Sequence, residues 1–325
     1  AIKLIGHSGS AHLIRTLVSF IFSPISALRH EALRTLVTLD SQDLHGVLTP
    51  LLRCFPKLNE TERLIGLKIL AKLKNIDAIF ALLETSRTLN PHERRKLGGI
   101  ISSLGLESVP RLVTVLNCAA FHQSGRSIAA RALAKLSFPQ FSAIAEKLIA
   151  DEVDRAYLCL EKAETLSTLR EQSSGVRVLE RVLQDSLQSA VNFVLEILSL
   201  SGRVASFELL SARLSSQNQK ERANAVETVQ QACSRELSLR LLPLLTGQTK
   251  RGKESEHSPQ DVLRQCVLES TGLAGAAAAQ ALIELYADES RELLERSLRE
   301  SPTSLRGDLI LNLLARRKAT NGTKG

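Results

Sequence analysis

The sequence predicts an all-α protein, on three observations. Aromatic residues make up only 3% of the chain, with no Trp and two Tyr, whereas Leu, Ala, Ser and Arg abound. Straight-chain residues and Ala lose little freedom in a helix, while strands favour β-branched and aromatic side chains. Apolar residues also recur at helical spacing, as in Leu28, Ala32, Leu33 and Val37. Finally, one phrase is written twice: an Arg, a small residue three positions on, then an aliphatic one, in "ALRHEALRTLV" at 27–37 and "QKERANAVETVQ" at 219–230. Hydrophobic and charged shares of 44% and 23% suit a folded chain. At 325 residues, the chain is long for one compact domain.

The phrase marks a repeat. Arg-x-x-small occurs at Arg29/Ala32, Arg63/Gly66, Arg95/Gly98, Arg126/Ala129 and Arg222/Ala225, in steps of 34, 32, 31 and 96 residues. A Pro follows twice at one offset: Pro50 lies 21 residues after Arg29, and Pro243 lies 21 after Arg222. Ser23-Pro24, Asn59-Glu60, Asn90-Pro91 and Gln219-Lys220 precede the apolar-periodic segments. Ser and Asn satisfy open N–H groups of a first turn, and Pro suits its fixed φ. The small residue lets two helices cross closely. One helix pair cannot bury its apolar stripe alone, so neighbours must stack. The expected architecture is an α-solenoid of stacked antiparallel helix pairs with two longer helices in the middle.

Basic repeats are expected over 1–138. Residues 139–200 break the period. There, 139–171 reads as one long helix with Phe141, Ile144, Leu148, Val153, Tyr157 and Leu160 on one face. A second, 175–200, carries Val178, Leu179, Val182, Leu183, Val191, Leu195 and Leu198. At the α-helical rise these are about 40–50 Å long, beyond a repeat helix. Residues 201–247 return to the repeat, and the polar run 248–259 reads as a mobile loop. Helical repeats resume over 260–318, opening with an Ala-rich helix and closing with an amphipathic one at 301–318. A disordered tail is expected at 319–325.

With these landmarks in place, the chain resembles HEAT and HEAT-like (armadillo-like) repeats, whose units are antiparallel helix pairs with a Pro and a basic residue at set points. The likeness is clearest at 24–136 and 217–247. A narrower resemblance covers 190–245, where Arg213, Leu214, Arg222, Ala223, Asn224, Ala225 and Glu227 are similar to a phrase in a soluble helical-repeat region. That region follows the membrane domain of some bacterial major-facilitator proteins related to the ATP/ADP translocases. The resemblance implies a non-catalytic, cytoplasmic scaffolding or regulatory module of a larger transporter-like protein, lying at the cytosolic face of a membrane. The alternatives are a free-standing adaptor and, with less support, a nucleic-acid binder. Met is absent, where average usage leads one to expect about six or seven. With an opening inside an apolar phrase at Ala1, this suggests a piece of a longer chain, or a sequence from which modified methionines are missing.

No catalytic pattern emerges: there is no G-x-S-x-G, P-loop or G-x-G-x-x-G, and no enzyme activity or cofactor is expected. "GHSGSAH" at 6–12, with Gly6, Ser8, Gly9 and Ser10, reads as an inter-helix loop rather than a phosphate cradle. Asp151, Glu152 and Asp154 read as a solvated acidic patch. Cys54, Cys118, Cys159, Cys233 and Cys266 fall within apolar helical stretches, as small buried residues do. The seven His form no ligand spacing, so no metal site is expected. The uncharged runs at 270–283 and 16–28 are too short to span a bilayer. Asn321-Gly322-Thr323 matches a sequon within a polar tail. Charge is the strongest signal. Residues 1–140 hold 18 Lys+Arg against 9 Asp+Glu, and 141–325 hold 24 against 25. The candidate partner-binding surface is Arg53, Lys57, Lys68, Lys72, Lys74, Arg94, Arg95, Lys96 and Arg111. It suits an acidic protein partner, the chain's own membrane domain or an anionic lipid surface. Nucleic acid fits less well, since stacking platforms need aromatics.

Ala225→Arg would force a long cation into a helix crossing. It is expected to destabilise its repeat by more than about 3 kcal/mol. An unchanged melting temperature would place Ala225 on the wrong face.

Overall fold

The computed structural model describes residues 11–42, 44–118, 121–246, 257–270, 272–286, 289–300, 307–308 and 310–312. Among them all regular structure is helical, as composition predicts. The chain forms two compact units, one of residues 1–149 with 196–207 and one of 150–195 with 208–325.

The first unit contains α1 (Ala11–Phe20), α2 (Ser26–Thr38), α3 (Leu48–Cys54), α4 (Glu60–Leu73), α5 (Ile79–Thr85), α6 (Pro91–Ser102), α7 (Val109–Asn117) and α8 (Gln123–Leu136). Helices α2, α4, α6 and α8 form a series in which each packs on the next, while α3 packs on α5 and α5 on α7. The starts of α4 and α6 explain this order. Asn59 accepts the Glu62 N–H at 2.9 Å, and the Glu62 carboxylate returns to the Asn59 N–H at 3.0 Å. Asn90 and Glu93 repeat this capping box at 2.9 and 2.8 Å. Each of these carboxylates is fully buried and also takes an Arg from the preceding helix of the series. Arg29 bonds Glu62 at 3.2 Å, and Arg63 bonds Glu93 at 2.8 Å. Glu62 accepts the Ser26 hydroxyl as well, at 2.8 Å. Burial pushes the Glu62 carboxyl up, but the Asn59 N–H, Ser26 and Arg29 outweigh it and hold the carboxyl below its ordinary value.

These bonds set the phase of the repeat. Counted from the first helical residue, position four is Arg29, Arg63, Arg94, Arg126 and Arg222 in helices starting at 26, 60, 91, 123 and 219. The sequence reading with Arg95 and Gly98 is therefore one residue late: the Asn90 cap places Arg94 at position four and buried Leu97 at position seven. Position seven is otherwise small and buried, at Ala32, Gly66, Ala129 and Ala225. A Cβ on Gly66 would stand 2.9 Å from the Phe55 ring. In the first unit the Arg at position four also reaches back to a carbonyl just before its own helix. Arg29 meets Ser23 at 2.9 Å, Arg63 meets Leu58 at 2.7 Å, Arg94 meets Ser86 at 3.2 Å and Arg126 meets Leu116 at 3.0 Å. Arg222 in the second unit is exposed.

The long helices are α9 (Phe138–Leu166) and α10 (Ser174–Leu200), close to their expected bounds, and the division into units cuts through both. Most of the predicted apolar faces are buried, but Val178 is 42% exposed. Glu152 is a correction: it is fully buried and paired with Arg155 at 2.9 Å, so it does not belong to a solvated patch. The second unit adds α11 (Phe207–Leu214), α12 (Gln219–Ala232), α13 (Arg235–Thr246), α14 (Pro259–Glu269), α15 (Leu273–Leu285) and α16 (Arg291–Glu300). Its core joins Leu166, Val176, Leu179 and Leu183 to Val262, Leu263, Val267 and the alanines of α15. Close approach joins α10 to α15, where a Cβ on Gly175 would lie 2.4 Å from the Ala281 nitrogen. Glu284 of α15 accepts Ser173, Ser174 and the Gly175 N–H at 2.5, 2.6 and 3.2 Å, covering the start of α10. Burial raises its carboxyl, but these donors and Gln280 hold it down to about 2. The expected loop at 248–259 falls mostly outside the described residues, as do the "GHSGSAH" glycines and serines, most of 301–318 and the tail. No single helix among the described residues is long and apolar enough to cross a membrane.

Glu93→Ala removes the acceptor of Arg63 and of the Asn90 N–H together. The expected loss is about 2–3 kcal/mol in denaturant unfolding. Glu84→Ala, at an exposed pair with Arg87, is expected to cost under about 1 kcal/mol.

Candidate functional site

The phase set by the capping boxes decides which cations share a face. Position nine is exposed in all four helices of the series: Arg34 in α2, Lys68 in α4, Gly99 in α6 and Arg131 in α8. Where α6 has Gly, its cations are exposed Arg95 and Lys96 at positions five and six. Position five lies one turn before position nine on the same side of a helix. Position thirteen adds exposed Lys72 and Lys135. The outer edge of α2, α4, α6 and α8 thus carries a row of positive charge.

Of the nine residues expected to form a basic surface, the structure places Lys68, Arg95, Lys96 and Lys72 on this edge. Lys72 has a structural task as well, since its ammonium donates to the Val37 carbonyl and, at 3.2 Å, to that of Leu39. It therefore caps the end of α2, where carbonyls lack helical partners. Arg94 belongs to the inner bonds described above, and Arg111 pairs with Asp77. Lys74 ends α4 in a left-handed conformation with φ 43°. Arg53 and Lys57 are exposed on α3 and the turn after it, away from the row. The expected surface is therefore divided.

Sequence reasoning missed Arg34, Arg131 and Lys135. Counting from the cap His122 places Arg131 and Lys135 at positions nine and thirteen of α8, and counting from Arg29 places Arg34 at position nine of α2. Arg131 is half-exposed, with its Nε 2.6 Å from Glu196, which also accepts Ser127 at 2.7 Å.

The other polar clusters serve helix ends. His122 caps α8, its Nδ1 accepting the Ser124 N–H at 3.2 Å and lying 2.7 Å from the Ser124 hydroxyl. A Ser–His contact is the geometry of an activated nucleophile. Here, however, the Ser124 hydroxyl is buried against Ser86 at 2.8 Å, and the ring nitrogen is engaged in the cap. Burial lowers the His122 pKa first, with Arg87 and Arg94 adding to it against Glu84. Of the five cysteines, Cys54 and Cys266 are buried and Cys118, Cys159 and Cys233 are half-buried. Burial pushes Cys54 up to about 11 and raises Cys159 and Cys266. These are thiols rather than reactive thiolates. No group of three or more His, Cys, Asp and Glu able to hold a metal occurs among the described residues.

Compared with known proteins, the sequence matches no family model and no curated protein.

His122 stands where Asn59, Asn90 and Asn218 cap α4, α6 and α12, while α2 begins after Ile25 with no side-chain cap. The folded pKa of His122 lies below the ordinary 6.5, so the unfolded chain binds the proton first. The cap is intact above that value and is lost as pH falls through the folded one. His122→Asn is expected to abolish this acid-side loss, which is bounded by one N-cap at about 1 kcal/mol. Melting curves at pH 5 and pH 7.5 check it.

Proposed function

We propose that this chain is a non-catalytic interaction module of the HEAT-like kind, a solenoid of stacked helix pairs whose charged outer edge docks an acidic protein segment. One observation carries the reading: cations recur at an exposed, register-equivalent position of α2, α4 and α8, with Arg95 and Lys96 supplying α6. Core packing needs apolar side chains there no more than it needs charged ones, and a solvated edge has no reason to repeat one sign. The architecture is supported by the serial packing of α2, α4, α6 and α8 and of α3, α5 and α7. The absence of aromatic residues from positions five, nine and thirteen favours a polypeptide over a nucleic acid, which would stack on them.

A second element concerns the setting. In α12 the phrase Arg222-Ala223-Asn224-Ala225-Val226-Glu227 buries only Ala225 deeply, and Arg222, Ala223, Asn224 and Glu227 face outward. Side chains that do not serve the core are free to meet a partner. This supports the reading of a cytoplasmic regulatory or scaffolding part of a larger, transporter-like bacterial protein.

Fluorescence anisotropy of the full chain with a labelled twelve-residue oligoglutamate tests the docking role. Binding is expected to weaken with salt. Lys68→Glu with Arg95→Glu is expected to raise Kd about tenfold. Lys220→Glu, in the second unit, is expected to leave it unchanged. Salt-independent binding, or equal loss in both variants, would remove the basic edge from consideration. Preference for duplex DNA or anionic vesicles would assign it a different partner.

A further inference from the structure

The spacing of the cation row defines its partner more narrowly, and this step rests on the docking role just proposed. We infer that the edge of α2, α4, α6 and α8 recognises an extended, polyproline-II-like segment with a carboxylate at every third residue.

The argument is one of commensurate lengths. Bonds at equivalent positions hold neighbouring helices in register. Arg29–Glu62 and Arg63–Glu93 both join position four to position three of the next helix. Asn59 reaches Ser26 at 3.3 Å and Asn90 reaches Glu60 at 2.8 Å, each joining a cap to the first residue of the preceding helix in the series. Between α6 and α8, a Cβ on Gly98 would meet Ile128 at 3.8 Å, in ordinary contact. Packed helices lie about 8–10 Å apart, so the position-nine residues Arg34, Lys68, Gly99 and Arg131 recur at about that interval, with Arg95 about 6 Å along α6 from Gly99 and Arg131 shared with Glu196. A polyproline II helix repeats every third residue and rises about 9 Å per turn, which matches. A β-strand presents one face every second residue, about 7 Å apart, which does not. An α-helix returns to one face near this interval only every seventh residue, about 10 Å along its axis.

The surroundings of the row decide between the two that fit. Helical ligands anchor through an apolar stripe laid into an apolar groove. The exposed large hydrophobic residues lie elsewhere: Phe22 and Ile25 precede α2, Leu106 precedes α7, and Phe138 follows α8. None lies on α2, α4, α6 or α8. The edge therefore offers charge without an apolar anchor, which suits an already extended acidic chain.

The row also has a gap that can be filled. Gly99 holds position nine of α6, is exposed, and would place an added Cβ in open space. It needs no left-handed backbone, so a side chain there is tolerated and improves helix propensity.

The test uses the full chain and three labelled peptides, each with four Glu in a Pro/Ala background: Glu every third residue, four contiguous Glu, and Glu every seventh residue in an Ala-rich helix. The period-three peptide is expected to bind about fivefold more tightly than the other two at equal salt. Gly99→Lys is expected to tighten that peptide about threefold and leave the contiguous one unchanged. Gly99→Ala, with the same circular dichroism and no change in affinity, separates charge from helix stability. Equal affinity for period-three and contiguous peptides would overturn the inference while leaving a basic docking edge in place. Preference for the helical peptide would also overturn it. Failure of all three, with oligoglutamate also unbound, would reject the docking role itself.

Discussion

One buried carboxylate serving two helices is the constraint on which the first unit depends. Glu62 and Glu93 each close the start of their own helix and accept an Arg from the helix before. Either task alone would leave a buried charge short of partners, which is costly. Together the box N–H, the guanidinium and, for Glu62, the Ser26 hydroxyl satisfy it. Because both bonds end on the same two oxygens, the axial offset between neighbouring helices is not adjustable. Apolar packing through Ala32, Gly66 and Ala129 brings the helices close, but such contacts tolerate sliding. The ion pair does not.

The same arginines tie each repeat to what precedes it. Position four donates to a carbonyl just upstream of its helix in every repeat of the first unit. At α8 the pattern changes character. Gly125 replaces the carboxylate at position three, and a Cβ there would lie 2.8 Å from the Leu83 carbonyl oxygen. Backbone proximity takes over from ion pairing, and Arg126 becomes nearly fully buried. The second unit uses this packing logic more widely, with Gly175 against Ala281 and Glu284 closing the start of α10. Ion pairs there join single points on different helices, Lys162 of α9 to Glu269 of α14 and Arg240 of α13 to Asp154 of α9, rather than recurring at one register position. This agrees with the near balance of acidic and basic residues beyond 140.

A rigid register has a consequence for the exposed surface. Where offsets are set by buried ion pairs, equivalent outward positions recur at the helix spacing, and a charge pattern along them becomes a ruler. Lys72 shows that such a residue can also hold the scaffold, since it caps α2 from α4. Exposed charge and stability thus depend on one set of positions.

The helical class, the two long helices and the start of most repeats were legible from residue types alone, because propensity, capping and apolar periodicity act within a few residues. Asn59 and Asn90 were visible as helix starts for that reason, whereas the start at Gln219 was read without its cap Asn218. The tertiary role of these caps was not visible. The phase error at Arg95 arose because Arg95 with Gly98 fits the Arg-x-x-small spacing while Arg94 is followed by Leu97, and only the Asn90–Glu93 box shows that Arg94 holds position four. The basic excess before residue 140 was countable, but a count has no direction. Burial of Glu152 and Glu93, the sorting of Lys68 and Arg95 from Arg94 and Arg111, and the entry of Arg34 and Arg131 into one row depend on which side of each helix meets its neighbour. The sequence by itself determined the helices and their charges. Tertiary structure alone decided which charges are partnered and which face outward together, because contacts between distant residues set the rotation of each helix about its axis.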